Sequence, residues 1–135
     1  MTLSAEGVKY LLDTHTFLWF AADPDKLSEP VRNILIQTES DLLLSAASGW
    51  EIALFWKLKR IELPEEPAFF IPQVIQALSL TPLSIGFATA MSAATLPLVH
   101  RDPFDRLLVA TAMREKVPIL GKDKIMTEYG VELIW

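Results

Sequence analysis

The chain contains no cysteine. A disulfide framework and a thiolate metal site are therefore excluded, a reducing compartment is the natural setting, and any metal chemistry shifts to oxygen ligands. Long apolar runs are also missing. No segment reaches the roughly 18 apolar residues that a membrane span needs, and the start, Met1 to Gly7, has no basic region ahead of an apolar one, so neither anchor nor signal is expected and the expected location is the cytoplasm. Positive charge is in deficit. With Lys and Arg totalling 12 against 17 Asp and Glu, the formal charge is −5, which argues against a surface coated in positive potential for nonspecific DNA binding. A polyanionic substrate would then need local cations. Repeats, low-complexity tracts and linkers are absent too, so the 135 residues are expected to form one domain over 1–135, with 1–7 as a weakly structured extension. At 51% apolar, the chain can bury a sizeable core.

What is present is an alternation of short apolar runs with helical patterns. Val8 to Leu12 and Leu42 to Leu44 read as buried parallel strands, Leu80 to Leu83 as an edge strand because of Pro82, and Val117 to Leu120 and Val131 to Trp135 as two more. Ser28 caps a helix carrying Val31, Ile34 and Leu35 on one face. The helix around Trp50 to Lys57 is apolar nearly all round, which predicts packing on two surfaces. Further helices are expected over Pro67 to Leu78, Gly86 to Leu96 and Pro103 to Lys116, with a short last one ended by Gly130. The β-α alternation predicts an α/β fold: a central parallel sheet of about five strands with helices on both faces.

Five carboxylates, Asp13, Glu51, Asp102, Asp105 and Asp123, stand where an apolar run gives way to a helix, or within that helix's opening turns. Such junctions share one edge of a parallel sheet. Each acid also has a plainer explanation. Asp13, Asp102 and Asp123 are placed to cap helices, Glu51 lies three residues after Ser48 in capping-box spacing, and Asp105 sits in a first turn where the helix dipole favours an anion. Their coincidence favours a cluster. Asp13 and Asp123 end strands that become neighbours if the chain reverses direction after its third strand, and packed carboxylates call for divalent cations to balance them.

Three blocks carry a resemblance: Tyr10-Leu11-Leu12-Asp13-Thr14-His15-Thr16-Phe17-Leu18-Trp19, Ser45-Ala46-Ala47-Ser48-Gly49-Trp50-Glu51-Ile52-Ala53, and His100-Arg101-Asp102-Pro103-Phe104-Asp105-Arg106-Leu107-Leu108. In order and spacing the sequence resembles PIN-domain ribonucleases, and among them the VapC-like toxins of type II toxin–antitoxin pairs, from about Val8 to Trp135. The resemblance implies a PIN-like fold. It further implies a metal-dependent endoribonuclease that hydrolyses RNA phosphodiester bonds with a metal-activated water, using Mg²⁺ or Mn²⁺. By motif the ligands and catalytic acids fall on Asp13, Glu51, Asp105 and Asp123, with Asp102 an additional acid of this branch. The implied partners are RNA, a cognate antitoxin protein and a second copy of the chain, with DNA reached only through the antitoxin. The last block departs from the family pattern. Gly121 stands two residues before Asp123, where relatives usually carry Ser or Thr, so a hydroxyl that could orient water or Asp123 is missing.

Among the basic residues Arg101, Arg106, Lys122 and Lys124 flank the acids, and Arg106 and Lys122 are the candidate RNA contacts. His15 and His100 are candidates for proton transfer, set against packing or hydrogen-bonding roles. Two other classes compete. One is a catalytically silent PIN-like binding module, favoured by Gly121. The other is a haloacid-dehalogenase-like phosphatase, whose motif needs a second aspartate where His15 stands. Trp19, Phe20, Phe55 and Trp56 supply the apolar surface expected to join two copies.

Overall fold

The two most apolar runs of the sequence lie side by side. In the computed structural model, which describes residues 7–135, β1 (Lys9–Leu12) and β2 (Asp41–Ser45) pair in parallel, with Leu11 opposite Leu43 and Leu12 opposite Leu44. β3 (Thr81–Leu83) joins the outer side of β2, while β4 (Ile119–Leu120) and β5 (Leu133–Ile134) extend the sheet from β1. The order is β3-β2-β1-β4-β5, all parallel. Pro82 lies in an edge strand, where a missing N–H is tolerated.

Strand alternation divides the core in two. Leu12, Leu44 and Leu120 face one side with Phe17, Val31, Leu35 and Ile52, whereas Leu11, Leu43 and Ile119 face the other with Leu108, Val109 and Ala112. Phe17, Leu11, Leu12 and Ile119 are fully buried, and each contributes about 1.5–3 kcal/mol of apolar transfer energy. Helices α1 (Thr14–Ala22), α2 (Glu29–Leu35) and α4 (Pro67–Ala77) supply the first layer. Helix α6 (Pro103–Glu115) supplies the second and packs against α5 (Phe87–Thr95). Helix α3 (Ala46–Lys57) gives Ile52 to one cluster and Ala47 to the other, in keeping with its all-round apolar character. Among the described residues no helix is long and apolar enough to cross a membrane.

Local chemistry sets the element ends. Asp13, Ser28, Ser45, Asp102 and Asp123 each accept a backbone N–H at a helix start. The capping-box reading of Ser48 and Glu51 is corrected: Ser45 caps α3, and Ser48 lies inside it, buried. Lys116 at φ 58° ends α6, and Gly130 at φ 88° ends the expected short last helix, a 3-10 helix over Lys124–Tyr129. Residues 1–6, most of the expected N-terminal extension, lie outside the described residues.

Candidate active site

The reversal of strand order places the crevice between β1 and β4. Asp13 follows β1 directly. Its backbone N–H donates to the Leu120 carbonyl at 3.0 Å, and the Thr16 hydroxyl donates to the same oxygen at 2.8 Å, so the start of α1 is tied to the end of β4. Glu51 enters from α3, which the Thr14 hydroxyl holds by donating to Ser48 Oγ at 2.9 Å. Asp102 and Asp105 come from the start of α6, and Asp123 from the start of the 3-10 helix. All five line one cavity of about 390 Å³, together with Thr14, His15, Trp19 and Lys122.

Capping and clustering coexist because a carboxylate has two oxygens. Asp13 Oδ1 accepts the Thr16 N–H at 2.8 Å, Asp102 Oδ1 the Phe104 N–H at 2.9 Å and Asp123 Oδ1 the Ile125 N–H at 3.2 Å. The Oδ2 atoms take no part in capping. Glu51, by contrast, caps nothing and is only 6% exposed.

The crowding shows in proton affinity. Burial pushes the Asp13 carboxyl up against the pull of its Thr16 bonds, and burial does the same to Glu51, with Asp102 and Asp13 adding repulsion that the Thr14 hydroxyl opposes. Asp105 is pushed up to about 7, first by burial and then by Asp102, while His100 opposes the shift. Such an all-carboxylate set costs free energy when ionised and fits a hard divalent cation, which supplies the missing positive charge through oxygen ligation.

His100 bridges part of the cluster by hydrogen bonding. Its Nδ1 accepts the Asp102 backbone N–H at 3.1 Å, which leaves the ring proton on Nε2, and Nε2 lies 2.9 Å from Oδ2 of both Asp105 and Asp123. The histidine thus tethers two acids from different elements. Its own N–H donates to the Tyr129 hydroxyl at 2.7 Å, an anchor with no sequence signal. His15 is exposed, with its ring 5.6 Å from that of Trp19.

Arg106 requires a correction. Expected to contact RNA, it is 6% exposed and donates to the carbonyls of Pro97 and His100 through one terminal nitrogen and of Ala94 and Leu96 through the other, at 2.8–3.2 Å. Arg106 is not among the residues that line the cavity. The sequence held a signal for this, because Arg106 shares a helical stripe with Val109 and Ala110, both buried. Lys122 is exposed and borders the cavity.

Comparison with known proteins covers nearly all of these elements. The model of the PIN domain family matches residues 10–132. The chain is similar to Ribonuclease VapC22 of Mycobacterium tuberculosis, 30% identical over 118 residues that make up 84% of this chain and 86% of that protein. It is also similar to Ribonuclease VapC16 of the same organism, 37% identical over 57 residues, 42% of this chain and 40% of that one. In structure it resembles VapBC2 from Rickettsia felis, solved bound to a DNA fragment from its promoter, with a TM-score of 0.67 at 12% identity over 94% of this chain and 98% of that chain. This last likeness is one of fold. The family match starts at the second residue of β1 and stops just short of β5, so every element that carries one of the acids lies inside it, and the chain belongs to the PIN-domain family, alongside its VapC-like members.

Proposed function

We propose that the protein is a divalent-metal-dependent endoribonuclease and the toxin of a type II toxin–antitoxin pair. The observation that carries this reading is the convergence of Asp13, Glu51, Asp102, Asp105 and Asp123 on one cavity, three of them with raised proton affinity. Similarity to a protein named as a ribonuclease supplies the substrate class.

In this reading Asp13, Glu51, Asp105 and Asp123 hold Mg²⁺ or Mn²⁺, and Asp102 adds negative charge beside them. The cation, when bound, acidifies water and offsets charge at the scissile phosphate. The chain's own residues set the geometry: Thr16 fixes Asp13, Thr14 and Ser48 hold the helix of Glu51 in place, and His100 holds Asp105 and Asp123. Lys122 meets a neighbouring phosphate. The test is RNA cleavage by pure protein with Mg²⁺ or Mn²⁺, abolished by EDTA and by Asp105→Asn.

The missing hydroxyl at Gly121 favours a second reading, a silent module that binds metal and RNA without cutting. Metal affinity in the absence of cleavage would select it.

The antitoxin in this reading lays an apolar segment on exposed helices and delivers an arginine to the acidic cavity, where a planar guanidinium pairs with a carboxylate through two hydrogen bonds. DNA is reached only through that partner, and the setting is the cytoplasm. The protein also pairs with a second copy of itself. Trp19, Phe20 and Phe55 are half-buried, with Trp19 and Phe20 packed on the core, whereas Trp56 is exposed, so the apolar surface for that contact comes from Trp56 together with residues such as Phe87 and Leu98, more than four-fifths exposed at 83% and 82%.

A further inference from the structure

Beside the acidic cavity runs a different kind of surface. On α1, His15 and Trp19 stand one turn apart with ring centres 5.6 Å apart, and Trp19 lies 5.6 Å from Trp135 at an interplanar angle of 57°. The Lys122 ammonium rests 5.9 Å from the Trp19 ring and 6.0 Å from that of Trp135. Both indoles are half-buried, backed by the core. A second hollow of about 510 Å³ adjoins this ridge, lined by Lys122, Lys124, Thr127, Leu133 and Trp135. Lys122 borders both cavities.

The two cavities differ in charge. The first gathers five acids, whereas the lining of the second has two lysines and no acid, and among the described residues neither lysine forms an ion pair. A cavity of this size with a rigid aromatic wall and two ammonium groups suits a planar base joined to a phosphate. Stacking needs a free base face, which a duplex does not offer.

We propose that Trp19, Trp135, Lys122 and Lys124 form a subsite for one unpaired nucleotide next to the phosphate that lies over the acids. This rests on the ribonuclease reading for the identity of the strand. The base lies on an indole, its phosphate meets Lys122 or Lys124, and the backbone passes Lys122 into the acidic cavity. The enzyme in this account selects single-stranded RNA flanking its cleavage point.

The experiment uses the full chain, calcium in place of magnesium, and short RNA oligomers carrying 2-aminopurine at each position in turn. Stacking predicts quenching of the 2-aminopurine at one or two positions by the wild-type protein, with no quenching for the same oligomer in a duplex. Trp135→Leu should weaken single-strand binding about tenfold and remove the quenching, while duplex binding changes little. Should Trp135→Leu fold poorly, Lys122→Ala with Lys124→Ala tests the phosphate half, since both side chains are exposed. Unquenched 2-aminopurine at every position overturns the proposal, as does an equal loss of single-strand and duplex binding. Cleavage in magnesium is scored separately. A protein that quenches without cutting loses the ribonuclease reading and keeps the subsite; one that cuts without quenching loses only the subsite.

Discussion

A methyl group placed on Gly121 would stand 2.5 Å from Asp13 Oδ2 and 2.9 Å from its carboxyl carbon. The end of β4 therefore abuts the carboxylate itself, and a side chain here must push Asp13 aside. Gly121→Ala is expected to displace that carboxylate, weaken Mn²⁺ binding in calorimetry, and lower stability by about 1–3 kcal/mol through overpacking. Unaltered Mn²⁺ affinity in this variant would mean that the close approach has no bearing on the site.

Removing charge from the cluster separates a metal site from a set of caps. Asp13→Asn and Asp105→Asn should cut RNA cleavage by orders of magnitude while the fold survives and, through relief of repulsion, the metal-free melting temperature rises. Asp13→Ala adds the loss of a cap, a cost of about 1 kcal/mol relative to Asp13→Asn. Cleavage that persists in EDTA, or in both asparagine variants, returns these residues to structural duty.

The raised carboxyl groups set an unusual pH dependence. A carboxyl whose folded pKa lies above its unfolded value holds a proton that the unfolded chain has released, so its contribution to stability is lost as pH rises between the two. For Asp105 that window runs from its ordinary 3.8 to about 7, and Asp13 and Glu51 act in the same direction. In EDTA these groups make the protein melt lower near pH 8 than near pH 5, and Mn²⁺ should stabilise most at the alkaline end. Thermal scans of wild type and Asp105→Asn decide it: an identical pH slope in the two would dismiss the Asp105 contribution.

Arg106 fastens the segment between α5 and α6. Arg106→Lys keeps the charge but loses the fork that reaches both groups of carbonyls, and each carbonyl left buried without a donor costs about 1–3 kcal/mol. A clear drop in the urea midpoint is expected. An unshifted midpoint together with weakened RNA binding would restore Arg106 to the substrate side.

Self-association should be visible by sedimentation at micromolar concentration, with Phe87→Ser shifting the equilibrium toward monomer. A monomer at every accessible concentration removes the second copy from the account.

Much of this architecture was legible because it rests on local chemistry. Leu42 to Leu44 and Leu11 with Leu12 announce buried strands by their unbroken apolar character, Pro82 announces an edge, and Asp102 before Pro103 announces a helix start. The convergence of the acids followed from the β-α alternation together with one reversal of direction, realised as β1 beside β4. What stayed hidden depends on contacts far apart in sequence. Nothing local to His100 shows that it reaches Asp123, or that Tyr129 supports it, and a basic residue inside a signature block reads as a substrate contact until Arg106 is seen among carbonyls. Ser48 misled for the opposite reason: its spacing to Glu51 matched a local motif, while Ser45 had already taken the cap.

The pairing of β1 with β4 also fixes when the site can exist. A ribosome making this chain delivers Asp13, Glu51, Asp102 and Asp105 before any residue of β4 has been added. Until Ile119 and Leu120 dock beside Leu11 and Leu12, Thr16 lacks the Leu120 carbonyl and Asp123 has no place in the crevice. A growing or broken chain thus carries the acids without the centre they form. The centre arrives in one event, the closing of the sheet, rather than accumulating with length.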